Sequence, residues 1–188
     1  MPQFTTLISG LSFTECPRWR DGRFYISDFY TQRVLAVAMD GTAETVAHVP
    51  QQPSGLGFLP DGRMLIVSVR DRKVLRREVD SSLVEHADLS GLAPWHLNDM
   101  LVNHDGQAWV GNFGFDLMGG AQARSTVLIG IEPDGTAKVE SGRTSARTTA
   151  RSLSFSATPS QPIGSTAATT KSSARRSARI GRSLRKPG

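Results

Sequence analysis

One phrase is written three times in this chain. Arg20-Asp21-Gly22-Arg23-Phe24-Tyr25-Ile26-Ser27, Pro60-Asp61-Gly62-Arg63-Met64-Leu65-Ile66-Val67 and His104-Asp105-Gly106-Gln107-Ala108-Trp109-Val110-Gly111 each set an Asp-Gly pair ahead of an apolar run, with glycines 40 and then 44 residues apart. Asp-Gly between two apolar runs is a strong hairpin signal, because glycine takes the positive φ such a turn demands. A second turn series, Met39-Asp40-Gly41-Thr42 and Pro133-Asp134-Gly135-Thr136, falls between copies of the first, with Val79-Asp80-Ser81 where a middle copy belongs. Each period therefore holds two hairpins, or four strands. Four strands in roughly 40 to 45 residues is the repeat of a β-propeller blade, and no such sheet buries its faces alone.

The third period carries the most polar strand entrance. His96-Leu97-Asn98-Asp99 runs straight into the apolar strand that the Asp105-Gly106 turn folds back on Ala108, Trp109 and Val110. Acceptor oxygens fixed at the mouth of a rigid strand pair suit a metal or a small polar substrate.

Composition divides the chain. All 17 acidic residues lie in residues 1–140 with 12 of the 22 basic ones, a formal −5, whereas residues 141–188 carry ten Lys and Arg and no acid. The overall +5 belongs to that end of the chain, so the high isoelectric point is no argument for specific nucleic-acid binding by the folded part. A single cysteine, Cys16, excludes an internal disulfide and a Cys-rich zinc site. With no secretory leader pattern and no apolar stretch near the roughly 18 to 20 residues of a membrane span, a cytoplasmic protein without membrane contact is expected.

Along the chain, Phe4 to Ile8 is a strand candidate ahead of the first blade. Proline cannot donate to a sheet ladder, so Glu15-Cys16-Pro17 is expected at a strand entrance or edge, with Glu15 at a blade's inner mouth. Blade one continues through Phe24–Ser27, Arg33–Ala38 and Glu44–Val49. Blade two has Gly55–Phe58, Met64–Val69, Val74–Val79 and Leu83–Ala87. Blade three reaches from Asp99 to Val139, with an insertion at Phe113–Arg124 expected as a lid or a surface decoration. Residues 1–140 thus read as about three blades. Residues 141–188, with 18 Ser and Thr and only five from Leu, Ile and Phe, are expected to be disordered. Their Arg, Ala, Ser, Thr and Pro content is also what an out-of-frame reading of GC-rich coding sequence produces.

Glu15-Cys16-Pro17-Arg18-Trp19, Leu97-Asn98-Asp99 and the Asp-Gly hairpins together resemble the senescence marker protein, gluconolactonase and luciferin-regenerating enzyme family, over residues 10 to about 140. The resemblance implies a six-bladed propeller, a lactone as substrate and one divalent cation in the central channel. It implies that Glu15 binds that cation, that Asn98 contacts substrate and reaches the metal, and that Asp99 serves as the base. Where the family commonly has arginine two positions before the asparagine, this chain has His96, a candidate substrate contact. The family's later asparagine and aspartate ligands have no counterpart, so the chain reads as roughly half a propeller, truncated, with weak metal affinity and little activity of its own.

Carboxylate and amide oxygens are hard ligands, so calcium is the leading candidate and magnesium, manganese and zinc are compatible. Taken singly, these residues have ordinary explanations: a strand-end carboxylate for Glu15, turn capping for Asn98 and Asp99, a loop position for His96. Trp19, Trp95 and Trp109 read as packing between blades, with Trp95 also placed to line the channel, and Cys16 as a small buried filler. No Gly-x-Ser-x-Gly elbow, His-Glu-x-x-His or phosphate loop occurs. The alternative to a lactonase is a non-catalytic propeller fragment acting as a protein-interaction module, and open blade edges predict self-association in either case.

Overall fold

The computed structural model describes residues 4–145. Twelve strands build three four-stranded antiparallel sheets, in the orders β1-β2-β3-β4, β5-β6-β7-β8 and β12-β11-β10-β9. The first blade holds β1 (Thr14–Arg20), β2 (Arg23–Asp28), β3 (Arg33–Ala38) and β4 (Ala43–His48). The second holds β5 (Pro53–Phe58), β6 (Met64–Ser68), β7 (Lys73–Arg77) and β8 (Leu83–Asp88). The third holds β9 (Leu97–Val102), β10 (Ala108–Asn112), β11 (Ser125–Ile131) and β12 (Ala137–Ser145). Each sheet is an up-and-down meander, and the described part of the chain is a run of propeller blades. No helix among the described residues is long and apolar enough to cross a membrane.

The repeated turns are of two kinds. Asp21 and Gly22 both have positive φ, 48° and 77°, the two-residue turn whose twist suits a hairpin. The other five close over four-residue turns with a recurring pattern. In the turn after β5, Gly62 N donates to Leu59 O and Leu59 N to Arg63 O, and the same pair of bonds recurs at Ala38–Thr42, Glu78–Ser82, Asn103–Gln107 and Glu132–Thr136. In four of these five the aspartate caps the N–H two residues on, as Asp61 does for Arg63. Ser81, with φ 72°, stands where the other four turns have glycine.

The first strands of the three blades are neighbours: β5 packs against β9 on one side and against β1 and β2 on the other. Gly55 and Gly57 on β5 make the approach to β9 close enough. A Cβ on Gly55 would stand 2.5 Å from Met100 N, and one on Gly57 would run into the Val102 side chain. Two apolar clusters fill the gaps between blades. One includes Val34, Val49, Leu56 and Ile66 between blades one and two; the other includes Leu65, Val67, Leu97, Met100 and Ile129 between blades two and three. Burying such side chains contributes about 1.5–3 kcal/mol each, and only the stacking of blades makes that burial available.

Some expectations need correcting. Phe4 to Ile8 forms no strand; it pairs with no described strand, and Phe4 is 91% exposed. Trp19 does not pack between blades; it is half exposed and meets Phe24 of its own blade edge to face, at 4.7 Å between centroids. Strand β12 runs to Ser145, paired to Ser125, five residues past the boundary expected at 140. The remainder of the 141–188 segment expected to be disordered lies outside the described residues.

Candidate functional site

Three strand entrances meet at one end of the sheets, and each brings a polar side chain. Glu15, Ser54 and Asn98 are each the second residue of their strand, β1, β5 and β9. At Glu15 the chain cannot continue the ladder, because Pro17 lacks an N–H and Cys16 has φ 51°. The register between β1 and β2 slips there, between Glu15 and Arg18. The bulge re-aims the side chains around it, as bulges beside functional sites commonly do.

Glu15 is held from the next blade. Ser54 Oγ donates to Glu15 Oε2 at 2.6 Å, and Ser27 Oγ donates to the Ser54 carbonyl oxygen, also at 2.6 Å. Among the described residues no hydrogen bond reaches the other carboxylate oxygen. Burial raises the Glu15 pKa above the usual carboxylate range, the Ser54 hydrogen bond opposes that rise, and the negative charge of Asp99 adds to it. No Lys, Arg or His among the described residues forms an ion pair with Glu15 or Asp99. Arg18, the nearest candidate in sequence, instead spends its guanidinium on the Met100 carbonyl.

Glu15, Asn98 and His96 all border a single cavity of about 580 Å³. Asp99 does not line it; the Asp99 Oδ1 accepts a hydrogen bond from Cys16 Sγ at 2.6 Å. Cys16 is buried, and burial followed by the Asp99 charge pushes its thiol far above the ordinary range. His96 stacks on Trp95 at 4.9 Å between centroids. Burial and then the nearby charge of Arg70 lower its pKa, so the ring is neutral near pH 7. The Phe113–Arg124 insertion occupies the whole β10–β11 connection, and its Phe113, Leu117 and Met118 form one wall of the cavity.

Three contributors were not anticipated from the sequence. Ser54 carries no motif, and only the stacking of two blades brings it to Glu15. Gln52 and Arg70 also line the cavity, joined by a hydrogen bond from Arg70 Nε to Gln52 Oε1 at 2.6 Å.

Glu15 and Asn98 fit a hard divalent cation in kind. In number they fall short, because calcium takes six to eight oxygens, and among the described residues no group of three or more His, Cys, Asp or Glu side chains is placed to hold a metal.

Antiparallel four-stranded blades, stacked through their first strands with a cavity at the strand entrances, define a run of β-propeller blades. The chain belongs to the SMP-30/gluconolactonase/LRE-like family, whose model matches residues 13–154. Among solved structures it is similar to a gluconolactonase from Xanthomonas campestris, with a TM-score of 0.59 and 21% identity over 72% of this chain and 49% of that one. It is similar also to the calcium-binding protein regucalcin from Agrobacterium tumefaciens, with a TM-score of 0.55 and 17% identity over 70% and 43% of the two chains. A luciferin-regenerating enzyme gives 0.54 and 15%, over 71% and 46%. At these identities the likeness is one of fold. The chain spans about half the length of the solved structures it matches, and no curated protein matches it.

Proposed function

We propose that this chain provides part of the active site of a lactone hydrolase that uses a divalent cation, calcium for preference. Family membership supports the reaction class. The observation that carries the site assignment is the pairing of Glu15 with Asn98 on one cavity, with the Asp99 charge close enough to act on Glu15 and no cationic side chain to balance the two carboxylates. A desolvated Glu15 carboxylate with a second negative charge nearby favours a bound cation.

Glu15 and Asn98 would be two of the cation's oxygen ligands, with water completing its shell. A cation held by Glu15 and Asn98 would supply charge stabilisation to the lactone carbonyl. Ser54 keeps Glu15 in one rotamer by bonding a single oxygen and leaving the other free. Asn98 and the neutral His96 contact the substrate. Asp99 stands behind the cavity lining with Oδ1 fixed by Cys16, so as the base it would draw the proton of an attacking water through a second, hydrogen-bonded water at Oδ2. The water oxygen bonds to the carbonyl carbon, the ring C–O bond breaks, and the proton returns to the departing ring oxygen, leaving a hydroxy acid. Family membership supports a small lactone as partner, and unpaired strand edges support self-association.

The test is hydrolysis of a lactone panel followed by acid release, with calcium, with chelator, and in Glu15→Gln. Chelator and Glu15→Gln should each reduce the rate at least tenfold. Hydrolysis indifferent to both removes the cation and Glu15 from the mechanism.

A further inference from the structure

The cavity that Glu15 and Asn98 line also carries a pair of hydrogen-bond donors with no partner. Gln52 and Arg70 both line it. Arg70 follows β6, and its backbone is tied to the segment that enters β5: Val69 N donates to Gln52 O at 2.9 Å, and Arg70 N donates to Gln51 O at 3.1 Å. Gln52 is only 7% exposed and has φ 71°, a left-handed conformation uncommon for a residue with a side chain. Its side chain meets Arg70, whose Nε donates to Gln52 Oε1 at 2.6 Å.

That bond settles which way round the amide lies. A guanidinium only donates, so the amide oxygen must face Arg70, and the amide nitrogen with its two N–H groups is left to another partner. Among the described residues none takes it, and neither terminal nitrogen of Arg70 makes a hydrogen bond. Arg70 also lacks a carboxylate within ion-pair distance among those residues, whereas Arg20, Arg23, Arg33, Arg63 and Arg76 each have one. Because Gln52 is more than nine-tenths buried and lines the cavity, the missing acceptor belongs in the cavity.

Charge narrows what that acceptor is. Glu15 and Arg70 are the charged side chains on the lining, since burial keeps His96 neutral. A divalent cation on Glu15 would leave the cavity positive, even with Asp99 behind it counted. A hydroxyl placed at Gln52 and Arg70 would need an acceptor for its own proton, and the Gln52 oxygen is already taken. A carboxylate accepts from both donors, has no proton to place, and suits the fork of a guanidinium.

We infer that this site takes a lactone that also bears a carboxylate, its carbonyl toward Glu15 and Asn98 and its carboxylate received by the Arg70 guanidinium and the Gln52 amide nitrogen. The lactone ring in that statement rests on the lactone-hydrolase reading. The carboxylate rests on Gln52 and Arg70.

A lactam stands in for the lactone and separates binding from turnover. The full chain with calcium is titrated by calorimetry with pyroglutamate, a five-membered lactam bearing a carboxylate, and with pyroglutamide, the same ring bearing a neutral carboxamide. Pyroglutamate should bind at least tenfold tighter. Arg70→Gln should bring the two ligands within about twofold of each other, and unchanged thermal melting establishes that this exposed position tolerates the change. Glu15→Gln should keep a preference of at least severalfold, because the carboxylate is not on the cation. Equal affinities, or no binding of either ligand, overturn the inference. So does a preference that survives Arg70→Gln and vanishes in Glu15→Gln, which would put the carboxylate on calcium. Failure to hydrolyse any lactone while the preference for pyroglutamate persists removes the hydrolase reading and leaves the carboxylate site standing.

Discussion

The thiol of Cys16 on β1 donates a hydrogen bond to the carboxylate of Asp99 on β9, 2.6 Å away and 83 residues distant in sequence. This bond joins the two strand entrances that carry Glu15 and Asn98, so it fixes the distance between the site's two halves. It also leaves Asp99 with one oxygen committed and one free.

The first prediction concerns that thiol. Burial and the Asp99 charge both disfavour the thiolate, which is the reactive form. Cys16 should therefore react with a disulfide reagent at pH 8 at least a hundredfold more slowly in the native protein than in denaturant. Asp99→Asn removes the charge and should speed native labelling severalfold. Equal labelling of native and unfolded protein would show that the thiol is neither buried nor bonded to Asp99.

A second prediction turns on Asp28, which ends β2 and is fully buried. Burial alone would raise its pKa, but hydrogen bonds from Thr31 and Ser12 Oγ and from the Ser12 and Phe13 N–H groups prevail, and hold it well below the usual carboxylate range. Arg33 adds an ion pair at 3.2 Å. A depressed native pKa gives stability that is complete above the unfolded value of 3.8 and is lost as the pH falls below it. Asp28→Asn leaves charged and hydrogen-bonding partners unsatisfied, and should cost about 2–4 kcal/mol at pH 7 with a smaller difference at pH 3. Chemical denaturation at the two pH values measures both; a pH-independent difference would remove the titration of Asp28 as the cause.

The third prediction addresses blade stacking. Gly57→Ala drives a methyl into Val102 across the β5–β9 contact, and overpacking of that kind costs about 1–3 kcal/mol. Val102→Ala alone should also destabilise by leaving a gap. The pair together should recover part of the loss, giving a favourable coupling of at least about 0.5 kcal/mol in a double-mutant cycle. Strict additivity would mean that β5 and β9 are not in contact.

Blade number, strand order and most strand limits were legible in the sequence, because a blade is a local object. Its turns follow from Asp-Gly chemistry within five residues, and its strands pair with the next in line. The expected Gly55–Phe58 strand and Leu83–Ala87 strand differ from those observed by one or two residues. Phe4 to Ile8 forms no strand because a strand is realised only where another strand pairs with it, and among the described residues none does. Trp19 misled because size and apolarity do not say which blade a ring faces.

The site was half legible. Glu15, Asn98 and His96 were found through motifs that recur in phase with the blades, and the structure gathers them on one cavity. The sequence by itself determined that four-stranded units would form and which end of each would be polar, since turn chemistry and alternation act over a few residues. Only the tertiary structure decided that Ser54 would hold Glu15 and that Cys16 would engage Asp99. Those contacts run between blades, where the angle and closeness of sheet stacking, set by Gly55, Gly57 and the apolar side chains around them, choose which residues meet.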